Sequence, residues 1–417
     1  MNLIPRTGGP EIETESPSIP HERPWLFGLL IAPDAVISLG LVGGALSFLL
    51  RNEGVDPSRA ASICAFIALP HAIYFLWGPI TDFWFQRRTW IMITGAATAA
   101  AIVYAFHLPR LGSSLGVAAL FLAACLAVLG PAACGGIMAT LHSEVNRRRA
   151  SSAYQVGSLG IGAIAVFAIT SLSGRVSLLT LGFLVALMIV LPALAALAVP
   201  SEFIAGGHAL RETFALIFSE CKTTFWRWEA IPYVLIMVGP GGSGGMIGLL
   251  PELARDYGVS GQQVAWINGV GGALLTAAGA FAASLVPVRV RTTIGFSIAA
   301  LVNAATLVIL ALGRMSPAIY FTGTVLYLFT VGTAYAFVTA VILEFIGKSG
   351  KSGSGRYSII NSLANVSVAY MIWLDGRGYA LWGPRGMPGI DASVSGAASS
   401  LLLAHFVFSR RRKERLR

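Results

Sequence analysis

Charge is scarce in this sequence. Asp, Glu, Lys and Arg together make up 12% of its 417 residues, and 55% of the residues are hydrophobic. About a quarter of the residues of a soluble globular protein are charged, so this chain has too few ions to cover a surface in water. We therefore expect the lipid bilayer to be its main solvent.

The alternation of apolar and polar positions that is typical of a membrane β-barrel is also missing. The apolar runs are continuous instead, and they reach the roughly 20 residues that a helix needs to cross a bilayer. Backbone groups in lipid must satisfy their own hydrogen bonds, which a helix does within one segment. The sequence therefore predicts an all-α integral membrane protein.

Cysteine is rare, and the four cysteines show no spacing typical of paired thiols or metal ligands. We expect no disulfide framework, no metal site and no cofactor. Cys64, Cys125 and Cys134 fall in apolar runs, where a thiol is usually a small packing residue.

The start of the chain lacks the features of a cleavable signal peptide. The first 24 residues contain four glutamates and several prolines, without a basic segment, a short apolar core and a cleavage site. This composition predicts a disordered cytoplasmic tail over 1–24. The net charge of +10 does not indicate nucleic acid, because the basic residues lie in short loops and in the C-terminal run 410–413.

What the sequence does have is a series of long apolar runs separated by polar, glycine or proline residues. They predict twelve membrane-spanning helices, at 25–50, 61–80, 89–108, 115–139, 151–172, 176–199, 229–250, 263–286, 292–313, 317–346, 356–376 and 391–409.

An even number of spans places both termini on one side of the membrane. Most of the 29 lysines and arginines fall in the termini and in the loops of that side, which the positive-inside rule identifies as the cytoplasm. The longest polar interruption, 200–228, is predicted to be a central cytoplasmic loop between two six-helix bundles, 25–199 and 229–409. A basic cytoplasmic tail follows at 410–417. Many secondary transporters have this layout and bind substrate between the two halves.

The segment FLWGPITDFWFQRRTWI, between the second and third predicted spans, carries an acid and two arginines. Gly78-x-x-x-Asp82 followed by Arg87 and Arg88 resembles the loop signature of the major facilitator superfamily. The resemblance implies a cytoplasmic latch, in which Gly78 permits close helix approach and Asp82 lies at the positive N-terminus of a helix from the other half. The arginines would pair with acids or terminal carbonyl groups. The alternative is that the arginines only anchor the topology. Glu344 is predicted to form an inside gate by pairing with Arg356 or with Arg147–Arg149 across the halves, or else to be a solvated acid at the interface.

The string YFLWGPITDFW is similar to the branch of that superfamily that contains bacterial muropeptide permeases and acetyl-CoA transporters. Phe85 stands where the signature usually has a glycine, and the corresponding loop of the second half, Val286–Thr292, has no acid. The fourth predicted span also lacks the acidic residues expected in a muropeptide permease. The resemblance therefore implies a fold and a transport function without identifying a substrate.

Ionisable groups inside membrane spans are energetically expensive and point to function. Asp34 lies about ten residues into the first span, deep in the bilayer. We expect it to accept a proton or anchor a substrate, with a structural acid that caps a helix broken after Pro33 as the alternative. His71 in the second span could titrate near neutral pH or could serve packing alone.

Uncharged polar side chains complete the candidates for substrate binding or proton coupling. They either line a cavity or join helices by hydrogen bonds, and they are Tyr154, Gln155, Asn268, Asn361 and Asn365. The glycine-rich run GPGGSGGMIG in the seventh span, 239–248, predicts a broken helix whose freed backbone groups can bind substrate.

These features favour a secondary active transporter that moves a polar organic solute across the cell inner membrane by alternating access. A proton gradient or the gradient of the solute itself would drive it. We expect a monomer whose partners are a small-molecule substrate, protons and the lipid bilayer.

Two other classes stay open. A polytopic membrane enzyme, such as an acyl or glycosyl transferase, needs a polar cluster at a membrane face, for which His142 and Glu144 are the nearby candidates. A sensor that has lost transport is the third possibility. The run GKSGKSGSGR, 347–356, fits a phosphate-binding loop in no register, so we expect neither nucleotide hydrolysis nor catalytic residues.

Overall fold

The computed structural model describes residues 22–200, 228–347 and 353–415, together with positions 215, 219, 222, 225 and 226. These residues form helices and connecting turns, with one isolated bridge between Ser173 and Val176. Within them, nine helices are long and apolar enough to cross a bilayer. The protein is therefore a multi-pass membrane protein. The predicted tail 1–24 and central loop 200–228 lie largely outside the described residues, as does the end of the basic tail 410–417.

We number the main helices in chain order and call the residues up to 200 the first half and those from 228 the second half. The first half contains α1 Pro24–Asn52, α2 Pro57–Ile73, α3 Arg87–His107, α4 Ser114–Thr140, α5 Glu144–Leu172 and α6 Leu178–Ala198. The second half contains α7 Ile231–Val238, α8 Gly261–Leu285, α9 Thr292–Leu312, α10 Pro317–Ile346, α11 Gly353–Trp382 and α12 Gly386–Arg415.

Serine residues begin four of these helices. The side chains of Ser113, Ser143, Ser177 and Ser260 each accept a hydrogen bond from a backbone N–H in the first turn that follows. This capping satisfies donors that the helix itself cannot pair. The helix starts at α4, α5, α6 and α8 are therefore encoded locally.

The predicted count of twelve spans differs from the nine long helices for physical reasons. Helix α2 contains Pro70 and ends at Ile73, after which the chain continues as two 3₁₀ turns, Tyr74–Leu76 and Gly78–Asp82. The seventh predicted span is divided by glycines, and a short 3₁₀ turn alone separates α11 from α12. Twelve spans and cytoplasmic termini therefore stay predictions.

The expected break in the seventh span is present. Regular helix ends at Val238, and Gly242 and Gly244 have φ values of 66° and 77°, in the left-handed region that favours glycine. A 3₁₀ turn, Gly245–Gly248, leads to a short helix, Leu250–Ala254. We call the segment 239–244 the broken segment, and it leaves backbone carbonyl groups without helical partners.

Buried apolar side chains form cores within each half and one between them. The largest cluster lies wholly in the first half, between Val36 and Ile189. Two clusters have their buried members in the second half. A further cluster combines both halves and includes Cys134 of α4 and Tyr357 of α11. The two halves are thus packed against each other through an apolar contact at one end.

Helices α8 and α10 approach each other closely enough to require glycine. A Cβ atom added at Gly332 of α10 would overlap the backbone carbonyl oxygen of Thr276 in α8, and one added at Gly279 would overlap the carbonyl of Phe329. Backbone atoms cannot rotate away as side chains do, so the helices would have to separate.

We expect Gly332→Ala to lower the thermal unfolding temperature of the purified protein, because overpacking of this kind costs about 1–3 kcal/mol. Gly376→Ala is the matched control, since a Cβ at that helical position meets no atom within 4 Å. Equal unfolding temperatures for the two variants would contradict the close approach.

Candidate functional site

The carboxylate of Asp82 joins the two halves at the end of the molecule where α11 begins. Its Oδ1 atom accepts hydrogen bonds from the Ser354 backbone N–H at 3.1 Å, and its Oδ2 atom accepts from the Gly355 N–H at 2.9 Å. Both donors belong to the first turn of α11, where backbone N–H groups lack helical partners. The carboxylate of the first half therefore caps a helix of the second half.

The two neighbouring arginines have different contacts. Arg87 donates to Asp82 Oδ1 from Nε at 2.9 Å and from Nη2 at 2.7 Å, and its Nε also lies 3.1 Å from Ser354 Oγ. Arg88 instead donates to the Val199 carbonyl at 3.0 Å and to Gln86 at 2.7 Å, both in the first half. Arg87 thus belongs to the contact between the halves, whereas Arg88 fastens α3 to the end of α6.

Gly78 lies against α11, one turn beyond the capped residues. A Cβ at this position would come within 2.9 Å of the Ser358 Cβ, so glycine permits this approach. Trp84, next to the Phe85 that replaces the usual glycine, has φ 59°. A positive φ is unfavourable for a residue with a side chain, so the surrounding structure must hold Trp84 in this conformation.

Arg148 of α5 forms a second contact between the halves, and the sequence indicated it only as one of several possible partners for Glu344. Its Nη2 donates to the Val290 carbonyl at 2.7 Å and its Nη1 to the Pro287 carbonyl at 3.2 Å. These carbonyls belong to the second-half loop that has no acid. Backbone oxygens accept hydrogen bonds from the guanidinium in place of a carboxylate. The feature of the sequence that could have predicted this contact is the basic run Arg147–Arg149.

Glu344 lies at the rim of this second contact. It accepts a hydrogen bond from the Tyr233 hydroxyl at 3.1 Å and lines a cavity of about 200 Å³. Charged side chains from both halves share that cavity, including Glu144, Arg147, Arg148 and Arg291. Glu344 is therefore near the expected arginines, while its direct bond is to a tyrosine.

Three predicted polar residues connect the halves deeper in the molecule. Gln155 donates to Thr339 Oγ1 at 2.8 Å, and Asn361 donates to the Tyr74 hydroxyl at 3.0 Å. The Tyr154 ring meets the Tyr357 ring edge-on, with centroids 6.4 Å apart. These side chains close the space between the halves above the Asp82 contact.

The other two predicted amides lie elsewhere. Asn268 donates to the Tyr320 hydroxyl at 2.5 Å, and that hydroxyl donates to the Leu250 carbonyl at 2.9 Å, all within the second half. Asn365 is exposed on α11, one turn from Asn361. The packing interpretation fits Asn268, and the structure does not bring either residue to Asp34.

Asp34 and His71, proposed separately from the sequence, are in direct contact. His71 Nε2 lies 3.0 Å from Asp34 Oδ1, and the side chains are 25% and 9% exposed respectively. Ser38 Oγ donates to the Asp34 backbone carbonyl at 2.8 Å. A π-helical stretch, Val36–Ala45, follows directly, a local irregularity that is frequent at functional sites. The first half therefore contains a nearly buried acid paired with a partly exposed base.

The opposite end of the molecule has contacts within each half. Glu53 accepts from the backbone N–H groups of Leu111 and Gly112, at 2.8 and 3.1 Å. Tyr257 bonds to the Leu310 carbonyl, and Arg385 to the Gly313 carbonyl at 3.3 Å. Among the described residues, hydrogen bonds between the halves lie at the Asp82 end and deeper in the molecule, at Gln155 and Asn361. The halves are thus closed at one end.

The candidate residues for an enzyme have structural partners. Glu22 accepts from the His142 backbone N–H and from Asn146 Nδ2, both at 2.6 Å, and lies 3.3 Å from His142 Nδ1. Glu144 lies 3.4 Å from Arg148 Nη2. His142 and Glu144 therefore take part in holding the start of α5, and within the described residues no group of three or more His, Cys, Asp or Glu side chains could hold a metal.

In sequence, no protein-family description and no curated protein matches the chain. In structure, it is similar to the human organic anion transporter MFSD10 (TETRAN), with a TM-score of 0.67 and 16% identity, over 92% of this chain and 100% of that one. It is also similar to the proton:xylose symporter XylE bound to 6-bromo-6-deoxy-D-glucose, with a TM-score of 0.63 and 13% identity, covering 91% and 93%. A third similar structure is the transporter FucP in the outward conformation, with a TM-score of 0.65 and 15% identity, covering 91% and 97%.

These likenesses extend over nearly the whole chain. They show that this membrane protein has the fold of the major facilitator superfamily. The finer similarity to muropeptide permeases and acetyl-CoA transporters stays a prediction.

We expect the Asp82 contact to shield the native thiol of Cys134, which is fully buried in the apolar cluster between the halves. With the other three cysteines replaced by serine, Asp82→Asn and Arg87→Gln should each increase labelling of Cys134 by a charged maleimide added to inside-out vesicles. Arg88→Gln is the matched control, because its contacts stay within the first half. Equal labelling in all three variants would show that the contact is not a latch.

Glu22 generates a pH-dependent prediction. Burial opposes ionisation of its carboxyl, but hydrogen bonds from Asn146 and His142 outweigh burial and lower the pKa of Glu22 below its usual 4.5. A lowered carboxyl pKa stabilises the folded protein above the unfolded value, and this contribution is lost as pH falls through the folded pKa. Glu22→Gln should therefore lower the unfolding temperature at pH 7, and the difference should shrink below pH 4.5. The exposed Glu252→Gln should show no such trend.

Proposed function

We propose that the protein is a secondary transporter that moves a polar organic solute across the cell inner membrane by alternating access. The Asp34–His71 pair would couple transport to protons. The observation that carries this proposal is a nearly buried carboxylate 3.0 Å from an imidazole in a chain with the major facilitator fold. Ionisable groups at such positions commonly mark proton or substrate pathways.

The arrangement of contacts supports an outward-facing state. The halves are joined by Asp82 and Arg148 at the end that the charge distribution assigns to the cytoplasm. At the other end, the described hydrogen bonds stay within each half. Opening the cytoplasmic side requires the Asp82 carboxylate to leave the start of α11, and this separation makes the contact a two-state element.

Proton coupling follows from the pair's chemistry. Imidazole titrates near neutral pH, and a proton held between His71 Nε2 and Asp34 Oδ1 removes the net negative charge of the pair. A charged carboxylate in a closing, water-poor site is energetically unfavourable. Proton uptake from the outer side would therefore favour closure of that side, and proton loss to the cytoplasm would complete the cycle.

The solute class follows from the groups near the closed end. Gln155 and Asn361 are uncharged groups that form hydrogen bonds across the halves in this state, and the Tyr154 ring packs against Tyr357 of the other half. When the halves separate, these groups become available to a solute with hydroxyl, amide or carboxylate groups. One similar structure is described as an organic anion transporter and another as a proton:xylose symporter. Organic anions and sugars therefore both belong in a screen.

The substrate can be found with the purified full chain by a thermal-stability screen against sugars, organic anions, peptides, acyl-CoA compounds and cell-wall fragments. A stabilising compound then serves in proteoliposomes, with uphill uptake and counterflow exchange measured in the same preparation. Stabilisation without transport, or conversion of the compound to a product, would favour a sensor or a membrane enzyme.

We expect Asp34→Asn to abolish uphill uptake while counterflow exchange continues, because asparagine mimics the protonated acid. His71→Asn should weaken the dependence of uphill uptake on external pH. His107→Asn, an exposed histidine at the end of α3, is the matched control. If Asp34→Asn still accumulates solute against its gradient with normal pH dependence, Asp34 does not couple transport.

A further inference from the structure

Two acidic residues outside the site described above are buried together in the second half. Asp375 of α11 is 0% exposed and Asp391 of α12 is 3% exposed. The two helices cross closely where Gly378 meets Gly386, and each glycine would place a Cβ against the other's backbone carbonyl. Asp375 precedes this crossing by three residues and Asp391 follows it by five, so the carboxyls lie near the same level and interact electrostatically.

The pair lies far from the Asp82 contact. Asp375 is 21 residues after Ser354 along α11, which is about 30 Å at a rise of 1.5 Å per residue. It is therefore near the end of the molecule where the halves have separate contacts. In the proposed function, this end lies at the outer side of the membrane.

The hydrogen bonding of the pair is incomplete. Both carboxyl oxygens of Asp375 are buried without a partner among the described residues. The Tyr327 hydroxyl of α10, close enough to interact with both acids, is also buried without a partner at standard geometry. Two adjacent carboxylate ions with so few donors are highly unfavourable in a buried, low-dielectric site.

No described basic group offsets this charge. The groups facing the acids from packed helices are phenols, Tyr327 of α10 and Tyr370 of α11. The nearest arginines in sequence are exposed and engaged elsewhere. Arg377 lies over the Trp373 ring at 5.2 Å, and Arg385 donates to the Gly313 carbonyl.

Ser395 connects Asp391 to the broken segment. Its hydroxyl oxygen lies 2.6 Å from Asp391 Oδ1 and 3.1 Å from the Pro240 carbonyl of the broken segment. A serine hydroxyl has one hydrogen and so fully satisfies one of these two acceptors. If Asp391 carries a proton, the acid donates to Ser395, and Ser395 donates to the Pro240 carbonyl. The Pro240 carbonyl also accepts from the Ser243 backbone N–H at 3.2 Å, so the protonated acid gives it a second hydrogen bond.

We propose that Asp375 and Asp391 form a second proton-binding site, in which Asp375 stays protonated and Asp391 exchanges a proton whose effect passes through Ser395 to the broken segment at Pro240. The proton comes from water at the outer end and returns there on release. Loss of that proton turns the Ser395 hydroxyl toward Asp391, which leaves the Pro240 carbonyl with the Ser243 backbone N–H as its one hydrogen-bond donor among the described residues. Protonation of the pair therefore stabilises the observed shape of the broken segment.

Infrared spectroscopy of the purified full chain tests this site without a substrate. We expect a protonated carboxylic-acid band at pH 7 that persists in Asp34→Asn and in the exposed control Glu252→Gln, and that loses intensity in Asp391→Asn, where Asp375 is the one acid of the pair that remains. Ser395→Ala should shift the frequency of the band, because it removes the group that accepts the acid's hydrogen. A merely structural serine would leave the frequency unchanged.

The remaining outcomes also decide the proposal. A band that Asp391→Asn and Ser395→Ala both leave unaltered would overturn it. If no band is present, and sodium at constant ionic strength raises the unfolding temperature of the native chain but not of Asp391→Asn, the pair binds sodium and the proton proposal is wrong. Should Asp391→Asn fail to fold, the shift in Ser395→Ala decides alone. Because the readout needs no transport, its failure leaves the Asp34–His71 proposal untouched.

Discussion

The carboxylate of Asp82 at the start of α11 is the contact on which the arrangement of the two halves depends. It accepts two backbone hydrogen bonds from the second half and two from Arg87 of the first. If the halves separate without water entering, the buried N–H groups of Ser354 and Gly355 lose their acceptor, while Arg87 stays bonded to Asp82 within the first half. The contact is therefore either made or replaced by hydration, and intermediate separations are unfavourable. This property suits an element that alternates between two states.

The same constraint, that charge in a membrane interior must be matched, accounts for the other polar contacts. Arg148 meets backbone carbonyl groups because its partner loop has no acid. Asp34 meets His71, the imidazole of a neighbouring helix. The partner of Asp82 is a guanidinium and the partner of Asp34 is an imidazole, and this difference is the basis for the separate roles that we propose for the two acids.

The acids of the second half are matched in a third way, by a proton. Asp391 connects through Ser395 to a segment whose glycines prevent regular helix, so its protonation acts on a part of the backbone that can change shape. With Asp34 in the first half, each half contains one titratable site in our proposals. Two sites that favour the same conformation are linked energetically, and each then alters the proton affinity of the other.

Composition and local pattern alone determined the solvent of this protein, its helical class and the break at the glycine-rich run, and the resemblance of one loop motif predicted a latch at Asp82. Each of these depends on residues close together in the chain, such as Gly78, Asp82 and Arg87. The tertiary structure decided which distant groups meet. It paired Asp34 with His71, separated Arg87 from Arg88, gave Arg148 its carbonyl partners and buried Asp375 beside Asp391. Such pairings follow from helix packing across the bilayer, which one sequence does not specify, because apolar residues face lipid and protein alike.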